Sequence, residues 1–286
     1  MKLFLTLSLL LVAAFAKPLV SVSIPPTKYL VQKIAGDTVE INVIIPSGTD
    51  EHSIDFKPAT MKQLEKSDLY FTVGLEIEKV FEDKFKKIFK KVTVVDTGKG
   101  LRTLEDMHSH DDHGHGHGHH GHDDHDDEES KDPHIWFDPV LAKAQAEIIA
   151  KALIAKYAKN KDLYEANLAT LQAELDTLHK ELTNTLKKAK NKKFIIYHPS
   201  LAYFAARYKL TQLTVEIEGK EPKAKDLEKL ISTAKKEKIK IVLVQKGFSQ
   251  GAAKTLADEL KAKVLEIDNL NENFGEELLK IAKILS

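Results

Sequence analysis

Strand and helix signals alternate twice along this chain, with a leucine-seamed helical stretch between the two runs, and few folds satisfy that arrangement. LVSVSI at Leu19–Ile24 and EINVII at Glu40–Ile45 have strand patterning, and Pro25–Ala35 between them reads as a helix stopped by Gly36. Leu69–Val73 and Lys91–Asp96 are further strands, each preceded by a helical pattern. The alternation restarts at Lys193–Tyr197 and continues through Thr211–Val215, Ile239–Gln245 and Val264–Ile267. Such repeats build parallel sheets, because a parallel connection must cross over and usually does so as a helix. The expected fold class is therefore α/β, with two lobes, each a mainly parallel sheet with flanking helices, joined by one long rigid helix.

The joining segment is the stretch 139–190. Asp138 is an N-cap candidate with Pro139 at the first helical position, and Ile149, Leu153 and Tyr157 then share one face. After the polar stretch Lys159–Asp162, residues Leu168, Leu171, Leu175, Leu178 and Leu182 recur at spacings of 3, 4, 3 and 4. This heptad seam lasts only about two to three heptads, short for a coiled-coil dimer. The expectation is a monomer in which a helix over Asp162–Ala189, roughly 42 Å long, lays its leucine face along both lobes. The chain then divides into a leader at 1–16, an N-terminal lobe at 17–138, the linking segment and a C-terminal lobe at 191–286.

Met1 and Lys2 make a short positive start, Leu3–Phe15 is almost unbroken apolar sequence, and Ala14-Phe15-Ala16 offers small residues at a cleavage site. This pattern predicts a signal peptide removed after Ala16 and a periplasmic location, since the apolar run falls short of the roughly 20 residues a membrane span needs. Lys and Arg number 43 and Asp and Glu 43, which leaves no basic excess for nucleic-acid binding through phosphate neutralisation. Cysteine is absent, so disulfides, thiolate metal sites, cysteine nucleophiles and a lipid-anchored N-terminal cysteine are all excluded for this sequence. A metal ion here must use imidazole or oxygen ligands.

Histidine is where the chain is unusual. Nine of its 13 histidines, His108, His110, His113, His115, His117, His119, His120, His122 and His125, lie in one tract of Asp, Glu and Gly within 105–131. With no hydrophobic periodicity, the tract reads as a flexible loop offering several weak, interchangeable metal sites. Of the other four, His179 sits beside the leucine seam and reads as a plain helix residue. His52, His134 and His198 fall at element boundaries, and two of them at or past the end of a strand, where open α/β sheets place their ligands. Three imidazoles favour Zn²⁺ over ions that prefer hard oxygen ligands. Zinc wants a fourth ligand, and Glu51, next to His52, and Asp268, at the end of KVLEID, are the candidates.

PSGTDEHSIDFKP, DPHIWFDP, YHPSLAYFAARYKL and VEIEGKEP, in that order, make the chain resemble the metal-specific solute-binding proteins of bacterial ABC importers, and among them the zinc-uptake members of the ZnuA type. The resemblance runs from about Leu19 to the C-terminus. It implies two α/β lobes on a rigid helix with metal in the cleft between them, and a membrane permease with a cytoplasmic ATPase as partner. It makes His52, His134 and His198 the zinc-binding histidines, and a histidine at the place of His198 separates zinc from manganese members. It leaves Glu51, Asp268 and water as alternatives for the fourth ligand. Two features depart from the pattern. The cysteine pair of many zinc members is missing, and Gln245-Lys246-Gly247 stands where a Glu-Pro pair is common, which implies altered geometry near the cleft.

The leading expectation is a periplasmic zinc receptor that is not an enzyme. The alternatives are a receptor for manganese or another divalent ion, an exported metal buffer or adhesin dominated by the loop, and a zinc hydrolase with Glu51 as general base. The last is disfavoured because neither HExxH nor a nucleophile constellation is present. Because imidazole must be neutral to bind, affinity is expected to fall below pH of roughly 6.5.

Overall fold

Eight short strands form two separate sheets in the computed structural model, which describes residues 17–52, 57–79, 89–101, 104, 132–217, 220–248 and 250–286. The leader at 1–16 and the histidine-rich tract 105–131 lie outside the described residues. Strands β1 (Leu19–Val22), β2 (Glu40–Val43), β3 (Leu69–Thr72) and β4 (Thr93–Asp96) pair in the order β2-β1-β3-β4, all parallel. Strands β5 (Lys193–Ile196), β6 (Thr211–Thr214), β7 (Ile241–Gln245) and β8 (Lys263–Ile267) repeat that arrangement as β6-β5-β7-β8. Hydrophobic content follows position. The LYFT of β3 is wholly buried at the centre of its sheet, whereas β2 at the edge begins with exposed Glu40.

In each sheet the strand order reverses beside its first strand, between β1 and β3 and between β5 and β7. Beyond the carboxyl ends of the strands at such a reversal is the general ligand position of open α/β sheets. Strands β1 to β7 are one or two residues shorter than the expected runs, and β8 is one residue longer. Ile44 and Ile45, beyond β2, still donate backbone N–H to Val22 and Ser23, so the ladder outlasts the regular strand.

Helix α1 (Pro25–Ala35) opens on two prolines whose missing N–H groups a helix start does not need, and ends at Gly36 with φ +57°. Helix α2 (Pro58–Lys66) follows, and residues 76–79 are also helical. The linking segment holds two helices, α3 (Pro139–Lys156) and α4 (Lys161–Leu186). Asp138 caps α3, its Oδ1 accepting the Val140 N–H at 2.9 Å, and Tyr157 ends it, so Tyr157 sits just past the face it was expected to share. Helix α4 spans 26 residues, about 39 Å. It stops three residues before the expected Ala189, where the chain turns: the Leu186 carbonyl accepts the Ala189 N–H at 3.1 Å and Lys192 Nζ at 2.6 Å. The remaining helices are α5 (Ala202–Arg207), α6 (Ala224–Lys236), α7 (Gly251–Leu260) and α8 (Phe274–Leu285).

The leucine seam turns inward within one chain. Leu171, Leu175 and Leu182 are buried, Leu168 and Leu178 partly so, and α4 packs on α1, α3 and α8. One apolar cluster therefore runs from Val22 and Phe71 of the first sheet, through Leu153 and Leu182, to Phe194, Leu243 and Ile267 of the second. A second cluster, with Ile195, Val242 and Leu256, fills the other face of the C-terminal sheet. Among the described residues, no helix is long and apolar enough to cross a membrane.

Candidate metal centre

Three loops at the carboxyl ends of the strands bring four donors together. The turn at 46–52 beyond β2 carries Glu51 and His52, the segment before α3 carries His134, and His198 lies two residues past the end of β5. One donor atom from each of Glu51, His52, His134 and His198 lies within 4.8 Å of all the others. His52 Nε2 faces His198 Nε2 at 3.1 Å, and His134 Nε2 faces Glu51 Oε1 at 3.3 Å. A zinc tetrahedron with bonds of about 2.0–2.1 Å has edges of about 3.3–3.4 Å, so two edges already have the size an ion would impose.

Hydrogen bonds on the far side of the rings decide which nitrogen faces inward. His134 Nδ1 lies 2.6 Å from Asp132 Oδ1, and His198 Nδ1 lies 2.8 Å from Glu216 Oε2. Carboxylates only accept, so each Nδ1 carries the proton and each Nε2 points into the cluster. The Asp132 carboxylate also takes the His134 backbone N–H at 2.9 Å, which fixes residue and ring together. Gln245 grips His198 from both sides, accepting its N–H at 3.2 Å and donating to its carbonyl at 2.6 Å. The His198 ring stacks on Phe248, centroids 5.1 Å apart and planes 25° from parallel.

Electrostatics make the cluster a seat for a cation. Glu51 is fully buried, and burial alone would raise its carboxyl; the hydrogen bond from His134 and the charges of His134, His198 and His52 hold it at about 2. Burial opposes a charge on His134, but Asp132 by charge and hydrogen bond, aided by Glu51, pushes that group up to about 10. His134 is thus an imidazolium at neutral pH, donating to a carboxylate through each nitrogen. His52 is exposed as a residue, yet its ring packs against His134 and His198; this desolvation and the His198 charge lower its pKa. Glu51 Oε1 accepts from Asn269 at 3.0 Å, while Oε2, also buried, accepts no hydrogen bond from the described residues. A buried anionic oxygen in that condition, within a ring of imidazoles, suits a cation.

Asp268 stands apart from the four donors. Its Oδ2 accepts from Ser47 at 2.9 Å and Lys246 at 3.3 Å, and its Oδ1 from the Leu270 N–H at 3.1 Å. It ties the ligand loop of one lobe to the other. His179 lies on α4 with Nδ1 3.0 Å from the Tyr208 hydroxyl, as suits a helix residue. Sequence reasoning assigns no supporting role to Asp132, Glu216, Phe248 or Asn269, and places Gln245 only near the cleft. Only Asp132 carried a local signal, since Asp-Pro-His is a turn sequence in which an Asp side chain accepts the N–H two residues on.

Comparison with known proteins follows the same lines. A family model described as ZnuA, zinc-uptake complex component A periplasmic, matches residues 20–281. The high-affinity zinc uptake system protein ZnuA of Bacillus subtilis (strain 168) is 31% identical over 255 residues, 88% of this chain and 78% of that protein. The zinc-binding protein AdcA of Streptococcus pyogenes serotype M3 is 30% identical over 259 residues, 86% of this chain and 50% of that protein. The chain thus spans about half the length of the first curated relatives it matches. Among solved structures, a crystal structure of ZnuA aligns with a TM-score of 0.83 at 35% identity, covering 94% of this chain and 97% of that one.

Proposed function

Because the chain belongs to the ZnuA family of periplasmic zinc-uptake components, we propose that it is an exported receptor that captures Zn²⁺ between its lobes and delivers it to an ABC permease driven by a cytoplasmic ATPase. The observation that carries this reading is the ring of four donors, three from the N-terminal side of α4 and His198 from the other, around a buried carboxylate oxygen with no hydrogen-bond partner among the described residues. Zinc would be held by Nε2 of His52, His134 and His198 and by Glu51. Asp268, engaged with Ser47 and Lys246, would position the ligand loop. Four protein donors complete a tetrahedron, which suits binding and release of cargo, and no catalytic step is assigned.

The same reading takes 1–16 as a cleaved leader, 17–138 and 191–286 as the lobes, 139–190 as their link, and the mature protein as a periplasmic monomer. The nine histidines of the 105–131 tract would gather Zn²⁺ at weak sites. Imidazole donors favour zinc over manganese, for which oxygen ligands are better suited.

A competitive zinc titration against a chromophoric chelator tests the proposal on the intact chain, a 105–131 deletion and His198→Ala. One tight site is expected to survive the deletion, with weak sites lost. His198→Ala is expected to weaken the tight site by orders of magnitude. Tight binding that vanishes with the tract, or survives His198→Ala unchanged, would replace the receptor with a metal buffer.

A further inference from the structure

The turn that follows β7 touches both halves of the centre. Phe248 N–H donates to the Gln245 carbonyl at 3.3 Å, closing a four-residue turn, and Gly247 occupies its third position at φ +85°. Glycine is favoured there because a side chain strains that conformation. Space is the second reason. A Cβ on Gly247 would lie 2.8 Å from Asp50 N, 2.8 Å from the Thr49 carbonyl carbon and 3.1 Å from Gly48 O. All three atoms are backbone, so no rotamer change relieves the contact. The loop that presents Glu51 and His52 therefore lies directly on the bare backbone of a glycine from the other lobe. On either side of Gly247 the same turn holds His198: Gln245, two residues before, brackets its backbone and Phe248, the next residue, stacks on its ring.

We infer that the turn Gln245–Phe248 is the positioning element of the zinc centre, with Gly247 setting how closely the Glu51–His52 loop approaches His198. This rests on the receptor reading above and deepens it. The 3.1 Å separation of His52 Nε2 and His198 Nε2 follows from two contacts made by one turn, the loop resting on Gly247 and the ring resting on Phe248. A side chain at 247 displaces His52 and Glu51 from His198 while removing no ligand.

Zinc affinity and the visible spectrum of the Co²⁺-loaded protein, measured on wild type, Gly247→Ala, Phe248→Leu and Gly36→Ala, test the inference. Residues outside a metal's ligand set typically cost about 10- to 100-fold in affinity, and that loss is expected for Gly247→Ala, with a Co²⁺ spectrum altered from wild type. Phe248→Leu, which adds no backbone strain, is expected to weaken zinc by about 2- to 10-fold through loss of the stack on His198. Gly36→Ala places a side chain at φ +57° with no atom within 4 Å of its Cβ, and is expected to lower stability while leaving zinc affinity and the spectrum alone. Wild-type affinity and spectrum in both Gly247→Ala and Phe248→Leu would overturn the inference, as would an equal loss of affinity in Gly36→Ala. If Gly247→Ala does not fold, Phe248→Leu decides alone. A wild-type chain without tight zinc binding would overturn the receptor reading itself.

Discussion

His134 carries a proton on each ring nitrogen, held between Asp132 and Glu51, and zinc must displace the one on Nε2. Each zinc bound at neutral pH should therefore release about one proton, and affinity should rise about tenfold per pH unit from pH 6 to 8. The sequence-based threshold of roughly 6.5 moves upward, because that value belongs to an unperturbed imidazole and the Asp132 contact holds the proton until about 10. Stability runs the other way. A raised pKa stabilises the fold fully below 6.5 and is lost as pH climbs through about 10, so the metal-free protein should weaken as its zinc affinity grows. Calorimetry in buffers of different ionisation enthalpy and thermal melts across this range check both slopes; zero proton release would refute the imidazolium. The His52, His134 and His198 cluster was readable in the chain because each histidine marks an element boundary. Their supports were not, since Glu216 and Gln245 reach His198 from 18 and 47 residues away and no local pattern records such pairings.

Among the elements, the leucine seam shows how far periodicity reaches. Spacings of 3 and 4 marked the buried face of α4 correctly, and shortness of the seam argued for packing within one chain. The stop at Leu186 was less legible, because the groups that take its carbonyl, the Ala189 N–H and a lysine six residues on, leave no periodic signal. Strand existence and order of appearance were legible from alternation. Their pairing as β2-β1-β3-β4 was not, since nothing in a strand's own pattern names its neighbour. Leu182 is completely buried in the large apolar cluster, so Leu182→Ala should lower unfolding stability by about 2–5 kcal/mol. Urea denaturation with size-exclusion chromatography checks this: the midpoint should fall while the protein elutes as a monomer at every concentration. A dimer that dissociates on mutation would assign the seam to self-association instead.

At the scale of the whole molecule, the two sheets share the apolar cluster that crosses α3 and α4, and Lys28–Glu272 with Tyr29 edge-on to Phe274 ties α1 to the α8 region. Scanning calorimetry should show one transition whose van't Hoff and calorimetric enthalpies agree. Zinc at a thousandfold excess over its Kd should stabilise that whole unit by about 4 kcal/mol. Two transitions, with only one responding to zinc, would mean that the lobes are independent. Because one apolar cluster spans both sheets, a wide hinge swing would have to break that shared core. The walls of its cleft form a mould cast when the chain folds, and a cation is chosen by how little that mould must deform to receive it.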